Sequence, residues 1–243
     1  MQQFGQITCR MSGWVMLCLA LAVAGCSLTD QTPVYRYRLT VEVDTPDGVK
    51  TGSSVIEVDT EVAGEYSIPT PGRVTNRVRG EAVSVHLGEG RVLFALLRSE
   101  ADIDWAGRVM YRLSPQYAGE NALRDGYRKM LRHRPERTVP RHFSRADRVN
   151  KRSAYPMLVT FGDLDDPASV ERVDPDDLAA TFGEGVRLKR ITVQITDDPV
   201  TSGIEQRLGW LGNIREMNLS NEDFPEDFPV GDFSGLFQKD TMR

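Results

Sequence analysis

The chain is 243 residues long, with a formal net charge of −5, 40% hydrophobic residues and 27% charged residues. This balance is that of a soluble globular protein, and beyond the amino terminus no apolar run approaches the roughly 20 residues that a bilayer-spanning helix needs. A polytopic helical membrane protein is therefore not expected, and residues 27–243 suffice for one large domain or two small ones.

Arg10 is the sole charged side chain before Asp30, and it precedes an apolar segment at 11–24. A run of about 14 residues matches the core of an export signal and is short for a membrane span. Small residues then lead into Cys26, in the order Val23-Ala24-Gly25-Cys26. This arrangement resembles the lipobox of bacterial lipoproteins, where small residues at the two positions before the cysteine admit the type II signal peptidase. The resemblance implies loss of 1–25, a diacylglyceryl thioether on Cys26 and acylation of its freed amine, with palmitate as a typical chain. It also implies an address: exported and lipid-anchored to the cell envelope. Ser27, in place of an aspartate after the cysteine, favours the periplasmic face of the outer membrane by the enterobacterial sorting rule. Several acyl chains hold a protein far more firmly than one.

The remaining cysteines are Cys9 and Cys18, which leave with the signal. With Cys26 committed to lipid, no thiol remains for a disulfide, so folding must rest on the core alone. Residues 26–34 read as lipidated cysteine and tether, 35–220 as a single domain and 221–243 as an acidic aromatic tail.

The expected fold class is α+β, with an antiparallel β-rich N-terminal half and a few short helices in the C-terminal half. From Tyr35 to Asp44 large apolar and polar side chains alternate, which places Tyr35, Tyr37, Leu39, Val41 and Val43 on one face of a strand. Thr45-Pro46-Asp47-Gly48 is a turn, and a second β-rich run at 53–62 follows at hairpin distance. Another hairpin is expected from 81–87 and 91–97 about Gly88-Glu89-Gly90, whose glycines supply positive φ. No Gly-x4-Gly-Lys-[Ser/Thr] pattern accompanies them, so a nucleotide loop is not indicated.

Eleven basic residues lie between Arg124 and Arg152, opposed by Asp125, Glu136 and Asp147. The segment begins as a helix with Leu123, Tyr127, Met130 and Leu131 on one face, and Pro135 and Pro140 break it. Such charge suits contact with an anion, and Arg128, Lys129, Arg132, Arg134, Arg137 and Arg141 are the candidates. In an exported protein the partner would be phospholipid headgroups, an envelope glycan or an acidic protein, and the compartment argues against nucleic acid. The alternative is a solvated helix and linker paired with the chain's own acids. His133 and His142 lack a third ligand at a metal-binding spacing, and the surrounding arginines repel a cation.

A strand is expected at 155–161. The acids Asp163, Asp165 and Asp166 fail the calcium-loop pattern, because Pro167 and Ala168 stand where an oxygen ligand and a glycine are needed. Asp174-Pro175-Asp176-Asp177 reads as a helix start, with Leu178, Ala179, Ala180 and Phe182 following and Gly183 ending it. The run 186–196 alternates again, with a phase shift near Lys189-Arg190 that permits a bulge. Strand, helix and strand in this order suggest a right-handed crossover.

The tail contains Glu-Asp-Phe-Pro twice, and its prolines disfavour a regular helix. Phe224, Phe228, Phe233 and Phe237 would enter a groove, either in this domain or on a docking partner. There is no Gly-x-Ser-x-Gly elbow, no His-Glu-x-x-His and no paired Cys–His set, so no metal or cofactor is indicated. Adjacent acids such as Asp197-Asp198 before Pro199 more often mark a turn than a catalytic pair. The leading expectation is a non-enzymatic envelope protein that binds or scaffolds a partner. An anchored hydrolase of an envelope polymer and a ligand-binding receptor remain the rivals.

Overall fold

The computed structural model describes residues 32–63, 73–114, 122–132, 134–214, 216–217, 219–225, 228 and 233–240. The chain divides into two units. In the first, 1–31 with 61–74, the Ala63 amide donates to the Arg73 carbonyl at 2.8 Å. The second, 32–60 with 75–243, carries the architecture below.

Period-two patterning builds the opening hairpin. Strands β1 (Tyr35–Thr45) and β2 (Gly48–Val62) pair antiparallel, with Tyr37 opposite Ile56 and Val41 opposite Gly52. The expected face of Tyr35, Tyr37, Leu39, Val41 and Val43 is buried, and the polar residues between them look outward. Gly48 sits at φ 106° in the turn, where a side chain would be strained. Strand β3 (Val74–Glu81) lies beside β2, and β4 (Val83–Gly88) follows after Ala82.

The second hairpin joins β4 to β5 (Arg91–Ala95) through Gly88, Glu89 and Gly90, all with positive φ. Helix α1 (Trp105–Arg112), which the sequence reading did not anticipate, buries Trp105, Ala106, Val109 and Met110. Its Trp105 indole donates to the Ala154 carbonyl, and the Tyr37 hydroxyl donates to the Ala106 carbonyl, each at 2.8 Å. Helix α2 (Ala122–Arg132) buries Tyr127 and Met130, as its pattern suggested. There follow β6 (Arg137–Thr138), α3 (Arg145–Val149), β7 (Leu158–Phe161), β8 (Val170–Val173), α4 (Ala179–Phe182), β9 (Arg187–Thr196), α5 (Phe233–Phe237) and β10 (Gln238–Asp240).

The fold is α+β, with two antiparallel sheets among the described residues. One has strand order β10-β3-β2-β1-β9-β6 and the other β4-β5-β7-β8. The larger sheet's inner face, helices α1 and α2, and Val83, Val85, Leu93 and Leu97 share one core. A second core covers the far side of the smaller sheet, where Val92, Phe94, Val159 and Phe161 meet Ile204, Leu208, Trp210 and the tail phenylalanines. Strands β5 and β7 are therefore covered on both faces, and burial is continuous over 92–95 and 158–161 in place of alternation.

Three local expectations change. The crossover does not form, because β7 pairs antiparallel with β8 and β9 joins the other sheet beside β1. The helix expected after Asp174 is a single turn: Asp174 accepts from the Asp176 amide at 2.9 Å, and Asp177 accepts from the Ala180 amide at 3.2 Å. The tail is not wholly extended, since Phe233–Phe237 coil into a helical turn and β10 pairs with β3 at the sheet's edge. The bulge near Lys189 is present, with Glu42 opposite Arg190 and Val43 opposite Leu188.

Candidate functional site

Six basic residues stood out as a possible anion site, and the fold disperses them. Arg128, Lys129 and Arg132 lie exposed on α2. Arg134 pairs with Asp197. The Arg137 guanidinium donates to the Leu113 carbonyl at 2.6 Å and to the Ser114 hydroxyl at 3.2 Å, which ties β6 to the end of α1. Arg141 borders a cleft. Much of the basic segment is thus answered by the chain's own carboxylates and carbonyls.

The cleft has a volume of about 390 Å³ and is bordered by Glu100, Arg141, Ser153, Tyr155, Arg172 and Pro175. Leu158 and Val173, paired partners on β7 and β8, also line it. The Arg141 guanidinium lies over the Tyr155 ring, 5.6 Å from its centroid. Its Nε and Nη2 donate to Asp176 at 3.0 and 2.8 Å. Its Nη1 is buried and has no hydrogen-bond partner among the described residues. Arg172 pairs with Glu100 at 2.5 Å. A buried, unanswered donor on a cation is costly, so an acceptor brought to Nη1 would be favoured.

The electrostatics of the cleft suit recognition more than proton transfer. The hydrogen bond from Arg141, followed by its charge, holds the Asp176 carboxyl below its usual range and keeps it ionised. Burial pushes the Tyr155 phenol up, against the opposing pull of Arg141. A second hollow of about 210 Å³ shares Ser153 with the first and is bordered by Asp102, Arg108, Arg112, Phe143 and Arg152. There Asp102 accepts from Arg108 at 3.1 Å, and Arg112 lies 4.7 Å from the Phe143 ring centre.

Glu81 is the described carboxyl that burial raises, as general acids require. Its oxygen accepts the Ile204 amide at 2.9 Å, so it caps the turn that opens the second core. Asp197 and Asp198 are held below the usual carboxylate range, chiefly by Arg134 for the first and by Thr196 and Arg38 for the second. They end β9 in a turn, and Asp163 and Asp166 likewise accept backbone amides of their own loop. His142 bonds the Arg152 carbonyl at 2.8 Å, while His133 lies outside the described residues. Among the described residues no group of three potential ligands forms a metal site.

Phe224, Phe228, Phe233 and Phe237 are all buried in the second core of this chain. Phe233 lies 4.9 Å from Phe224 and 5.4 Å from Trp210, ring centre to ring centre. They are not presented to an outside partner. Cys26 and the lipobox-like segment lie outside the described residues, and no helix among those described is long and apolar enough to cross a membrane.

The sequence reading passed over Glu100, Tyr155 and Arg172, which meet Arg141 only through the fold. It counted Arg145, Arg148, Lys151 and Arg152 in the basic segment but did not single them out as candidates. A signal for the latter was present, since Ser144 and Asp147 have the spacing of a helix N-cap ahead of clustered cations. Comparison with known protein families, curated proteins and solved structures finds no match to this chain.

Proposed function

We propose that this chain is a lipid-anchored protein of the bacterial cell envelope whose domain binds or scaffolds an envelope partner without chemical turnover. The observation that carries the reading is the order Arg10, apolar 11–24, Val23-Ala24-Gly25-Cys26, which is the arrangement of a lipoprotein signal. Ser27 after the cysteine favours the periplasmic face of the outer membrane. The cleft supports binding over catalysis, because Arg141–Asp176 and Arg172–Glu100 are paired charges of fixed position. Mass spectrometry of the mature protein should find Cys26 acylated at the new amino terminus. In-cell crosslinking should then capture the same envelope partner in repeated experiments. An unmodified start elsewhere sinks the anchor, and turnover of an envelope polymer by purified protein, with no partner captured, moves the reading to an anchored hydrolase.

A receptor for a small polar ligand is the second reading, and Arg141 favours it. Its unanswered Nη1 and the Tyr155 ring offer a donor and an apolar face beside one another. A ligand that stabilises wild-type protein but not Arg141→Leu would select this reading.

A further inference from the structure

No residue of the segment 144–152 is buried, and its side-chain chemistry is therefore available for something else. Ser144 caps α3 by accepting the Asp147 amide at 3.0 Å, and the loop closes on itself where the Arg152 amide donates to the Asp147 carbonyl at 2.8 Å. Its base is pinned where the Ala154 amide donates to the Arg141 carbonyl at 3.0 Å. Yet no residue of α3 is buried. Arg145, Arg148, Lys151 and Arg152 are all exposed, and none forms an ion pair among the described residues. Asp147, the opposing acid, receives the Ser144 hydroxyl at 2.7 Å. Val149 projects among these cations at 73% exposure, the highest of the large hydrophobic residues described. The outer face of the larger sheet contrasts with this, because there Arg36, Arg38, Arg187 and Arg190 each meet a carboxylate.

We propose that this arm is a second membrane contact, which docks on an anionic phospholipid surface through Arg145, Arg148, Lys151 and Arg152 with Val149 entering the headgroup layer. The idea rests on the lipid-anchor reading for its geometry. Cys26 and Thr32 are six positions apart, so an anchored domain begins within about 20 Å of the bilayer and its surface cations work at high effective concentration. An apolar side chain set among cations fits a bilayer interface better than an acidic peptide, which offers no apolar layer. The Val139 amide donates to the Ile191 carbonyl, opposite Val41, so the arm's base lies beside the half of β1 away from the anchored end.

The test uses the full chain, wild type and Cys26→Ser, sedimented with vesicles of phosphatidylcholine alone or mixed with phosphatidylglycerol. The preference for anionic over neutral vesicles reads the arm, and binding to neutral vesicles reads the acyl chains. Each Lys or Arg at such a surface strengthens binding by about fivefold. Replacing Arg145, Arg148, Lys151 and Arg152 with Gln should lower the preference by about 600-fold, and raising salt from about 0.1 M to about 1 M should abolish it. Val149→Asp should weaken binding to both vesicle types. Arg187→Gln with Lys189→Gln, which removes cations already paired with Asp44, should change little. Wild-type protein indifferent to lipid charge overturns the proposal, as does a preference unmoved by the four substitutions. Equal, salt-sensitive capture by soluble polyaspartate, untouched by Val149→Asp, overturns it in favour of an acidic protein partner. An unacylated chain that keeps the anionic preference removes the anchor and leaves the arm. An acylated chain without the preference does the reverse.

Discussion

Gly52→Ala tests a close approach of the two sheets. Gly52 lies on β2 opposite Val41, on the buried face, where β4 crosses. A Cβ built there would stand 2.2 Å from the Ser84 carbonyl oxygen, 2.8 Å from its carbon and 3.0 Å from Val85 Cγ2, whereas ordinary contact begins at 3.4 Å. The obstacle is backbone, so no rotamer change relieves it, and β4 must move by about 1 Å. A gap of that size forfeits a quarter to a half of the dispersion energy of the atoms it separates. Val41, Val83 and Val85 are fully buried and would lose neighbours together. Overpacking of this kind costs about 1–3 kcal/mol, and a backbone obstacle belongs at the upper end. The smaller unfolded-state entropy of alanine returns about 0.4–1 kcal/mol. A net loss of about 2–3 kcal/mol lowers Tm by about 4–12 °C in a domain of this size. Thermal unfolding followed by circular dichroism reads it directly. Gly209→Ala and Gly212→Ala, where nothing lies within 4 Å of the added atom, serve as controls that should melt close to wild type. A Gly52→Ala protein that melts with its controls would refute the crossing of β4 over β2 at Ser84.

Three further outcomes follow from the cores and the buried polar groups. Phe237 is fully buried against Phe94, Phe161 and Trp210, so Phe237→Ala should cost about 3–5 kcal/mol in urea unfolding; no loss would mean that the tail does not cover the smaller sheet. The Tyr35 hydroxyl is buried without a hydrogen-bond partner among the described residues, so Tyr35→Phe should leave Tm unchanged or raise it. A clear drop would reveal a hydrogen bond. Burial raises the Glu81 carboxyl in the folded state, so its contribution to stability is fullest below the unfolded pKa and is lost as pH rises through the folded one. The Tm of Glu81→Gln relative to wild type should therefore climb as pH rises above about 4.3, where an unfolded Glu titrates. A difference that is flat or falls with pH would place Glu81 in solvent.

Alternation over Tyr35 to Val43 was readable because only one face of β1 is buried, and a period-two pattern reports a single covered face. The bulge at Lys189 was readable for the same reason, as a break in phase. On β5 and β7 both faces are covered, so alternation vanishes and the sequence cannot say which side meets which core. Helix α1 had a helical face in Trp105, Ala106, Val109 and Met110, but eight residues give too few turns for the period to stand out. Strand β8 is shorter still, with charged Glu171 and Arg172 between its two valines. The cleft had no local signature at all: Arg141 and Asp176 are 35 positions apart, and no periodicity links them.

By itself the sequence determined the α+β class and the opening hairpin, and it carries the amino-terminal pattern on which the lipid-anchor proposal rests. These depend on residues that are neighbours in the chain or repeat with a fixed period. Tertiary structure decided which charges are answered. Arg134, Arg137 and Arg141 meet acceptors supplied by distant elements, whereas Arg145, Arg148, Lys151 and Arg152 are left facing solvent. It also turned the tail's phenylalanines inward, because the smaller sheet has an apolar outer face that they cover together with Ile204, Leu208 and Trp210. Charge and hydrophobicity are written in the sequence, but what each side chain meets is a property of the packed chain.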